Sequence, residues 1–149
     1  MTSQTHHTTN TRKRVAGAAI CALLAIPLVS VTTSQVAHAS CTDSSFSFSW
    51  PIISDTQYTP ARYKDNTSYV YLNAQYNEAG RTYVAWASAY SNGSYIDVSD
   101  GHSYEIRQGN TYTLTNYVRE WGYTQASIGA RKIGPIGLKA NGLWSPDYC

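Results

Sequence analysis

The sequence has few charged residues and few of the residues that favour helices. Charged side chains make up 13% of its 149 residues, and it contains one methionine. Residues 40–149 hold only four leucines, while tyrosine, threonine and serine predominate. This composition is typical of β-strands and excludes a helical bundle.

Lysine and arginine form no block beyond the start of the chain. Three of the eleven basic residues are Arg12, Lys13 and Arg14, so residues 40–149 carry eight basic and nine acidic side chains. A nucleic-acid-binding domain needs a basic patch for the phosphates, and we therefore expect no nucleic-acid partner. The near-neutral balance also argues against electrostatic attraction to anionic lipid.

Residue types that carry catalysis or bind metals are equally scarce. His102 is the only histidine after residue 39, and no Gly-x-Ser-x-Gly motif is present. The segment Asp97–Gly101 suggests calcium only loosely, because it lacks the alternating acidic positions of an EF-hand loop. We expect His102 and both carboxylates of this segment to belong to turns, and we expect no catalytic residue, no cofactor and no metal ion.

The first 39 residues have the order of a secretory signal peptide. The basic run Arg12-Lys13-Arg14 precedes an apolar run, Val15–Val31, and Ala37-His38-Ala39 follows. We predict cleavage after Ala39, which leaves one secreted β domain of residues 40–149 with no stable membrane insertion. A retained anchor is less favoured because the apolar run is short for a span and contains a proline. A lipoprotein modified at Cys41 is less favoured because a lipobox has an aliphatic residue where His38 stands.

The cysteines predict one disulfide. Cys21 lies in the apolar run, so Cys41 and Cys149 remain at the two ends of the exported segment. Two cysteines in an exported domain are typically paired. The chain-entropy model assigns a loop of this length about 4–5 kcal/mol of stabilisation.

Period-2 alternation predicts an all-β fold, a small antiparallel β-sandwich of seven or eight short strands with its ends joined by one disulfide. In Ser44–Trp50, for example, aromatic residues alternate with serines. Asp55–Asn66 is predicted to be a long connection, and Asn116–Gly122 a single helical turn closed by Gly122. The predicted strands are Ser44–Trp50, Thr67–Tyr76, Arg81–Tyr90, Tyr95–Val98, Tyr104–Ile106, Thr111–Thr115, Tyr123–Lys132 and one that starts at Ile136 and ends at Trp144-Ser145-Pro146.

Aromatic residues are the one class in excess. All 4 Trp, 13 Tyr and 2 Phe lie in residues 40–149. Tyrosine and tryptophan on strands either fill the core or form flat platforms for sugars and protein surfaces. The candidate platform lies in the hairpins between Thr67 and Val98 and consists of Tyr69, Tyr71, Tyr83, Trp86, Tyr90 and Tyr95.

Several segments resemble a loose group of small exported β proteins of Gram-positive bacteria with no assigned function. The resemblance implies an exported β domain and carries no catalytic residues. The segments concerned are Pro60-Ala61-Arg62-Tyr63-Lys64-Asp65, Ser68-Tyr69-Val70-Tyr71, Tyr117-Val118-Arg119-Glu120-Trp121-Gly122-Tyr123 with Ala126, and Gly142-Leu143-Trp144-Ser145-Pro146-Asp147.

The sequence therefore predicts a secreted, non-enzymatic recognition module that binds a cell-envelope glycan or a surface protein. A second hypothesis is a secreted antibacterial or toxin-like effector that acts on a competitor's envelope. A small hydrolase is the least favoured hypothesis, because it requires a pair of acids that face one cleft.

Overall fold

The computed structural model describes residues 41–53 and 56–149. The predicted signal peptide, residues 1–39 with its cleavage site at Ala39, lies outside the described residues. Those that are described include no helix with the length and hydropathy needed to cross a bilayer.

The described chain forms two antiparallel sheets, which confirms the predicted all-β class. Sheet A has four strands in the order β1-β10-β4-β8, and sheet B has the order β2-β9-β5-β6, with β3 paired to β9 and β7 paired to β5. The strands are β1 (Ser44–Trp50), β2 (Gln57–Tyr58), β3 (Arg62–Tyr63), β4 (Val70–Asn77), β5 (Tyr83–Ser91), β6 (Ser94–Asp97), β7 (Tyr104–Ile106), β8 (Thr111–Leu114), β9 (Gln125–Lys132) and β10 (Leu138–Ser145), with one 3-10 turn at Glu78–Gly80.

Strand β1 shows how the sequence pattern becomes a sandwich. Phe46, Phe48 and Trp50 are buried, while the serines between them point outward. The last strand of the chain, β10, pairs with β1 on one side and with β4 on the other. The ring of Trp50 on sheet A lies 5.4 Å from the ring of Tyr83 on sheet B, measured between centroids. The aromatic side chains of β1 therefore fill the space between the two sheets.

The two central strands of sheet B, β5 and β9, present mostly alanines to the core. In β5, Ala85, Ala87 and Ala89 alternate inward, and the register sets them against Ala130, Ile128 and Ala126 of β9. Small side chains on this sheet leave room for the large rings of the opposite sheet, as close packing requires. Each large apolar side chain buried here contributes about 1.5–3 kcal/mol relative to exposure.

The predicted connection Asp55–Asn66 contains two strands that the sequence pattern did not indicate. Strands β2 and β3 are two residues long, and both pair with β9. The predicted helical turn is confirmed: the Trp121 N–H donates to the Tyr117 carbonyl over 2.9 Å. Gly122 closes that turn with a φ of +83°, a conformation that favours glycine.

Cys41 and Cys149 meet at the end of sheet A where β1 begins and β10 finishes. The Cys41–Cys149 disulfide is present, with 5.9 Å between the two Cα atoms. Close to it, the Lys64 ammonium donates to the carboxylate of Asp147 over 3.2 Å, and both side chains are fully buried. The two segments named for the resemblance around Lys64 and Asp147 therefore meet in space, which no local pattern indicates.

Candidate functional site

The outer face of sheet B carries small residues under large rings. Ser88 of β5 and Ser127 of β9 face outward opposite each other, and Gly129 lies one outward position further along β9. Ser88 and Ser127 are nonetheless fully buried. Side chains from the sheet edges must therefore cover this stripe.

Three tyrosines on this face pack together, and we call them the tyrosine layer: Tyr58, Tyr90 and Tyr95. Tyr58 comes from β2 at one edge of sheet B, and Tyr95 comes from β6 at the other edge. Their rings stack with centroids 4.0 Å apart and an interplanar angle of 3°. The Tyr90 ring packs 4.9 Å from Tyr95 in a tilted arrangement. The layer is thus held together by rings that meet across the width of the sheet.

Trp86 extends this aromatic surface along β5. The register places it opposite Gly129, and a Cβ added to that glycine would lie 2.6 Å from the indole ring. Gly129 therefore lets the indole lie flat on the sheet, where any side chain would push it away. The ring is half-buried, so one part of it is available to a ligand.

A pocket of about 220 Å³ opens beside the indole, and we call it the Trp86 pocket. Sheet B supplies its floor, and the turn that follows β6 supplies its wall. Its lining residues are Val84, Trp86, Asp97, Ser99, Gly101, His102, Ser103 and Arg131.

The wall of the pocket has a fixed backbone. Val98 is fully buried and donates its N–H to the Ala87 carbonyl of β5 over 3.3 Å. The His102 N–H donates to the Ser99 carbonyl over 3.0 Å, which closes the turn between them. Asp100 adopts a positive φ of 51° within this turn. The polar side chains of the wall are therefore presented on a preformed scaffold.

Asp97 is the central acidic group of the pocket. Its Oδ1 accepts hydrogen bonds from the Ser99 N–H at 2.9 Å and from the Ser99 hydroxyl at 2.6 Å. Burial raises the pKa of the Tyr58 hydroxyl, and the charges of Asp97 and Tyr95 raise this pKa further. A carboxylate, an imidazole, a guanidinium and hydroxyl groups thus surround one aromatic face.

The serine in this site does not have the geometry of a catalytic triad. The Ser99 hydroxyl donates to the Asp97 carboxylate, whereas a triad serine donates to a histidine. The parts of the chain that the structure describes hold no group of three His, Cys, Asp or Glu side chains that could bind a metal ion. His102 lies in a turn, as expected, and its side chain is exposed.

The size of the pocket limits the ligand. Pockets for drug-sized ligands have about 300–1,000 Å³, so a volume near 220 Å³ suits one small ring. An aromatic wall offers stacking to an apolar ring face, and the surrounding polar groups offer hydrogen bonds to its hydroxyls. The volume and the lining side chains fit a small polar ring with one apolar face.

The structure divides the predicted platform between two faces and the core. Trp86, Tyr90 and Tyr95 lie together on the outer face of sheet B. Tyr71 belongs to β4 of sheet A, where the inward positions are Val70, Leu72 and Ala74, as predicted, and Tyr69 immediately precedes this strand.

The assignment of Tyr83 to the platform was wrong. Tyr83 is fully buried, because it starts the inward series of β5 and packs against Phe48 and Trp50.

Sequence reasoning missed Tyr58 and Arg131 as members of this surface. Tyr58 lies in a segment that was predicted to be a connection, and a two-residue strand leaves no alternation to detect. Arg131 stands at an outward position of β9, opposite Val84. The alternation of the predicted strand Tyr123–Lys132 places Arg131 on its outward face. The pairing of β9 with β5 is what sets Arg131 beside Trp86, and the sequence does not indicate that pairing.

A second, smaller pocket of about 140 Å³ lies beside the disulfide. The ring of Tyr71 packs 6.2 Å from that of Tyr148 at this place. The pocket is lined by Cys41, Asp43, Tyr71, Ser145, Asp147, Tyr148 and Cys149.

A family model described as a protein of unknown function, DUF2712, matches residues 32–148. This chain is a member of the DUF2712 family. The match includes every strand of both sheets and the whole Trp86 pocket. Membership agrees with the predicted resemblance to proteins that have no assigned function. No curated protein and no solved structure matches the chain.

Proposed function

We propose that this DUF2712 member is a secreted, non-enzymatic recognition module that binds a cell-envelope glycan in the Trp86 pocket. The observation that carries the proposal is the half-buried indole of Trp86 beside Asp97, His102 and Arg131. Sugars present an apolar ring face and a rim of hydroxyls, and this site offers a partner to each.

The preformed state of the site supports the same function. The rings of the tyrosine layer stack on each other and backbone hydrogen bonds close the turn after Val98, so binding orders few side chains. A rigid site lowers the entropy cost of association. The disulfide supports export, because paired cysteines persist in oxidising compartments. The signal-peptide pattern of the first 39 residues, a basic run, an apolar run and Ala37-His38-Ala39, supports it as well.

The test is a screen of bacterial and host glycans with the chain from Ser40 to Cys149. All strand partners and core residues lie inside this segment. Hits are then titrated by calorimetry. We expect Trp86→Ala to weaken binding by about 1 kcal/mol or more, since aromatic anchors dominate such sites. Arg131→Gln tests the polar side of the pocket without removing the ring.

Tyr69→Ala serves as the matched control, because it removes an aromatic ring from an exposed position outside sheet B. We expect this variant to bind like the parent chain. Equal binding by Trp86→Ala and the parent, or equal losses in Trp86→Ala and Tyr69→Ala, would contradict the proposal. A near-ultraviolet circular dichroism spectrum of each variant shows whether its core is intact.

A further inference from the structure

One end of the sandwich exposes four isoleucines. Ile52 and Ile53 follow β1, and they are 71% and 94% exposed. Ile133 and Ile136 lie between β9 and β10, and they are 51% and 66% exposed. The two loops lie at the same end because the register sets Trp50 of β1 opposite Leu138 of β10. We call these four residues the isoleucine end.

A lysine fixes the two loops to each other. The Lys132 ammonium donates to the Ile52 carbonyl over 2.8 Å and to the Gly134 carbonyl over 3.2 Å. Isoleucine is branched at Cβ and has few rotamers to lose. The isoleucine end is therefore a preformed apolar projection, and burying it against a partner costs little conformational entropy.

The packing of the domain does not account for the exposure of these four isoleucines. Single apolar side chains on a surface are ordinary, but several on two adjoining loops mark an interaction site. The core is already filled by side chains from both sheets. The four isoleucines are thus available to a partner outside the domain.

The basic residues of the domain gather at the same end. Five of the eight Lys and Arg residues after residue 39 lie on the strand ends and turns there: Arg81, Arg107, Arg131, Lys132 and Lys139. The acidic residues that the structure describes in this region are Glu78 and Glu105. Glu78 pairs with Arg81 and Glu105 with Arg107, each over 3.4 Å. Arg131, Lys132 and Lys139 give the described part of this end its net positive charge.

The sequence argued against attraction to anionic lipid from the overall balance of charge. The fold changes that conclusion for the isoleucine end, because the side chains that the structure describes there include more basic than acidic groups. Asp43, Asp65, Glu120 and Asp147 lie towards the opposite end, beside the Cys41–Cys149 disulfide, together with the basic residues Arg62, Lys64 and Arg119.

We propose that the isoleucine end docks on an anionic lipid surface. The four isoleucines would enter the boundary between headgroups and acyl chains, and Lys132 and Lys139 would face the phosphates. An apolar tip with a basic surround matches the two chemical layers of such an interface. This docking is peripheral, uses a face distinct from the Trp86 pocket, and does not depend on the proposed glycan binding.

Co-sedimentation with vesicles tests the proposal. The chain from Ser40 to Cys149 is mixed with vesicles of phosphatidylcholine alone and with vesicles that contain phosphatidylglycerol. This segment is used because the apolar run at Val15–Val31 would itself enter a bilayer. We expect binding to the phosphatidylglycerol vesicles, weaker binding to phosphatidylcholine, and a decrease with added salt.

Substitutions separate the apolar from the electrostatic contribution. Ile53→Ser and Ile136→Ser should each weaken vesicle binding about tenfold or more, as expected for an isoleucine that leaves an apolar environment. Lys139→Gln should weaken it about fivefold. Tyr69→Ser is the matched control, since Tyr69 is 51% exposed on a different part of the surface. We expect this variant to bind vesicles like the parent chain.

Position at the interface is read with a reporter. In the Ile136→Trp variant, brominated lipid should quench the fluorescence of the introduced tryptophan when vesicles are added, since this side chain enters the acyl boundary. Absence of binding to phosphatidylglycerol vesicles, or an equal loss in Tyr69→Ser, would overturn the proposal. So would a dimer in sedimentation velocity that Ile53→Ser dissociates, because a second copy of the chain would then cover the isoleucine end.

Discussion

The Lys64 ammonium lies 3.2 Å from the Asp147 carboxylate, and neither side chain is accessible to solvent. The ammonium also donates to the Ser68 and Pro146 carbonyls, each over 2.6 Å. Asp147 in turn accepts from the Asp65 N–H over 3.1 Å. Burial lowers the pKa of Lys64, and the charge of Asp147 opposes this shift. The pair fastens the segment after β3 to the end of the chain.

Removing one partner of this pair should be costly. Lys64→Met leaves a buried carboxylate without its cation, and we expect the free energy of unfolding to fall by about 3–5 kcal/mol. Replacing both residues, by Lys64→Met with Asp147→Leu, should recover part of that loss, because no uncompensated charge remains. Urea denaturation of the single and double variants measures the coupling.

The exposed pair Arg107 and Glu105 supplies the control for that cycle. Its side chains are 67% and 50% exposed. Glu105→Gln should change the free energy of unfolding by less than about 1 kcal/mol. A loss in Lys64→Met no larger than that in Glu105→Gln would show that the buried pair contributes nothing special to stability.

Tyr83 should link stability to alkaline pH. It is fully buried, its hydroxyl has no hydrogen-bond partner among the described residues, and burial raises its pKa well above the ordinary value of 10.0. The folded state therefore keeps this proton after the unfolded state has lost it. The contribution is fully present below pH 10 and decreases as the pH rises towards the raised pKa of the folded state.

The Tyr83→Phe variant isolates this effect. Above pH 10, the free energy of unfolding of the parent should fall more steeply than that of the variant, by up to about 1.4 kcal/mol per pH unit. At pH 7 the variant should be more stable by about 1 kcal/mol, because a desolvated hydroxyl is gone. Urea denaturation at several pH values checks both statements. Parallel pH profiles for the two chains would contradict the assignment of Tyr83.

The Cys41–Cys149 disulfide should stabilise the fold without defining it. The cysteines are 108 positions apart in sequence, and the chain-entropy model assigns such a loop about 4–5 kcal/mol. We expect Cys41→Ser with Cys149→Ser to lower the urea midpoint while the far-ultraviolet spectrum stays that of a β protein. Thiol titration of the denatured, unreduced parent from Ser40 to Cys149 should give no signal. Two thiols per chain would rule out the disulfide.

Gly129→Ala should displace the Trp86 ring, because the new Cβ would meet the indole at 2.6 Å. We expect a loss of about 1–3 kcal/mol in the free energy of unfolding and a change in tryptophan fluorescence. The loss should largely disappear in a Trp86→Ala background, since the clash then has no partner. Additive losses in the double variant would place the cost elsewhere than at this contact.

Much of the fold could be predicted from alternation. The bounds of β1 agree with the prediction at Ser44–Trp50, since aromatic residues and serines leave no doubt about its two faces. The buried face of β5 was harder to predict, because Tyr83, Val84 and Trp86 place large side chains on both faces of the strand. Which of them enters the core depends on the opposite sheet, where the rings of β1 meet Tyr83.

The candidate site was harder to predict than the fold. Trp86, Asp97 and Arg131 lie far apart in sequence and meet only through the pairings of β5 with β6 and with β9. Lys64 was not predicted to be buried, because a lysine in a polar segment is typical of the surface. Its burial depends on Asp147, more than eighty residues later, and no local pattern carries that information.

The central position of β10 in sheet A has a consequence for when the protein folds. Strand β10 lies between β1 and β4, so β1 has no partner in sheet A and β4 has only β8 until residue 145 is available. Asp147 and Cys149 follow within four residues and complete the buried pair and the disulfide. A partial chain therefore holds an open sheet with missing hydrogen bonds, and long-range pairings of this kind form slowly. Sheet A is therefore completed only once residues 138–145 have joined β1 to β4.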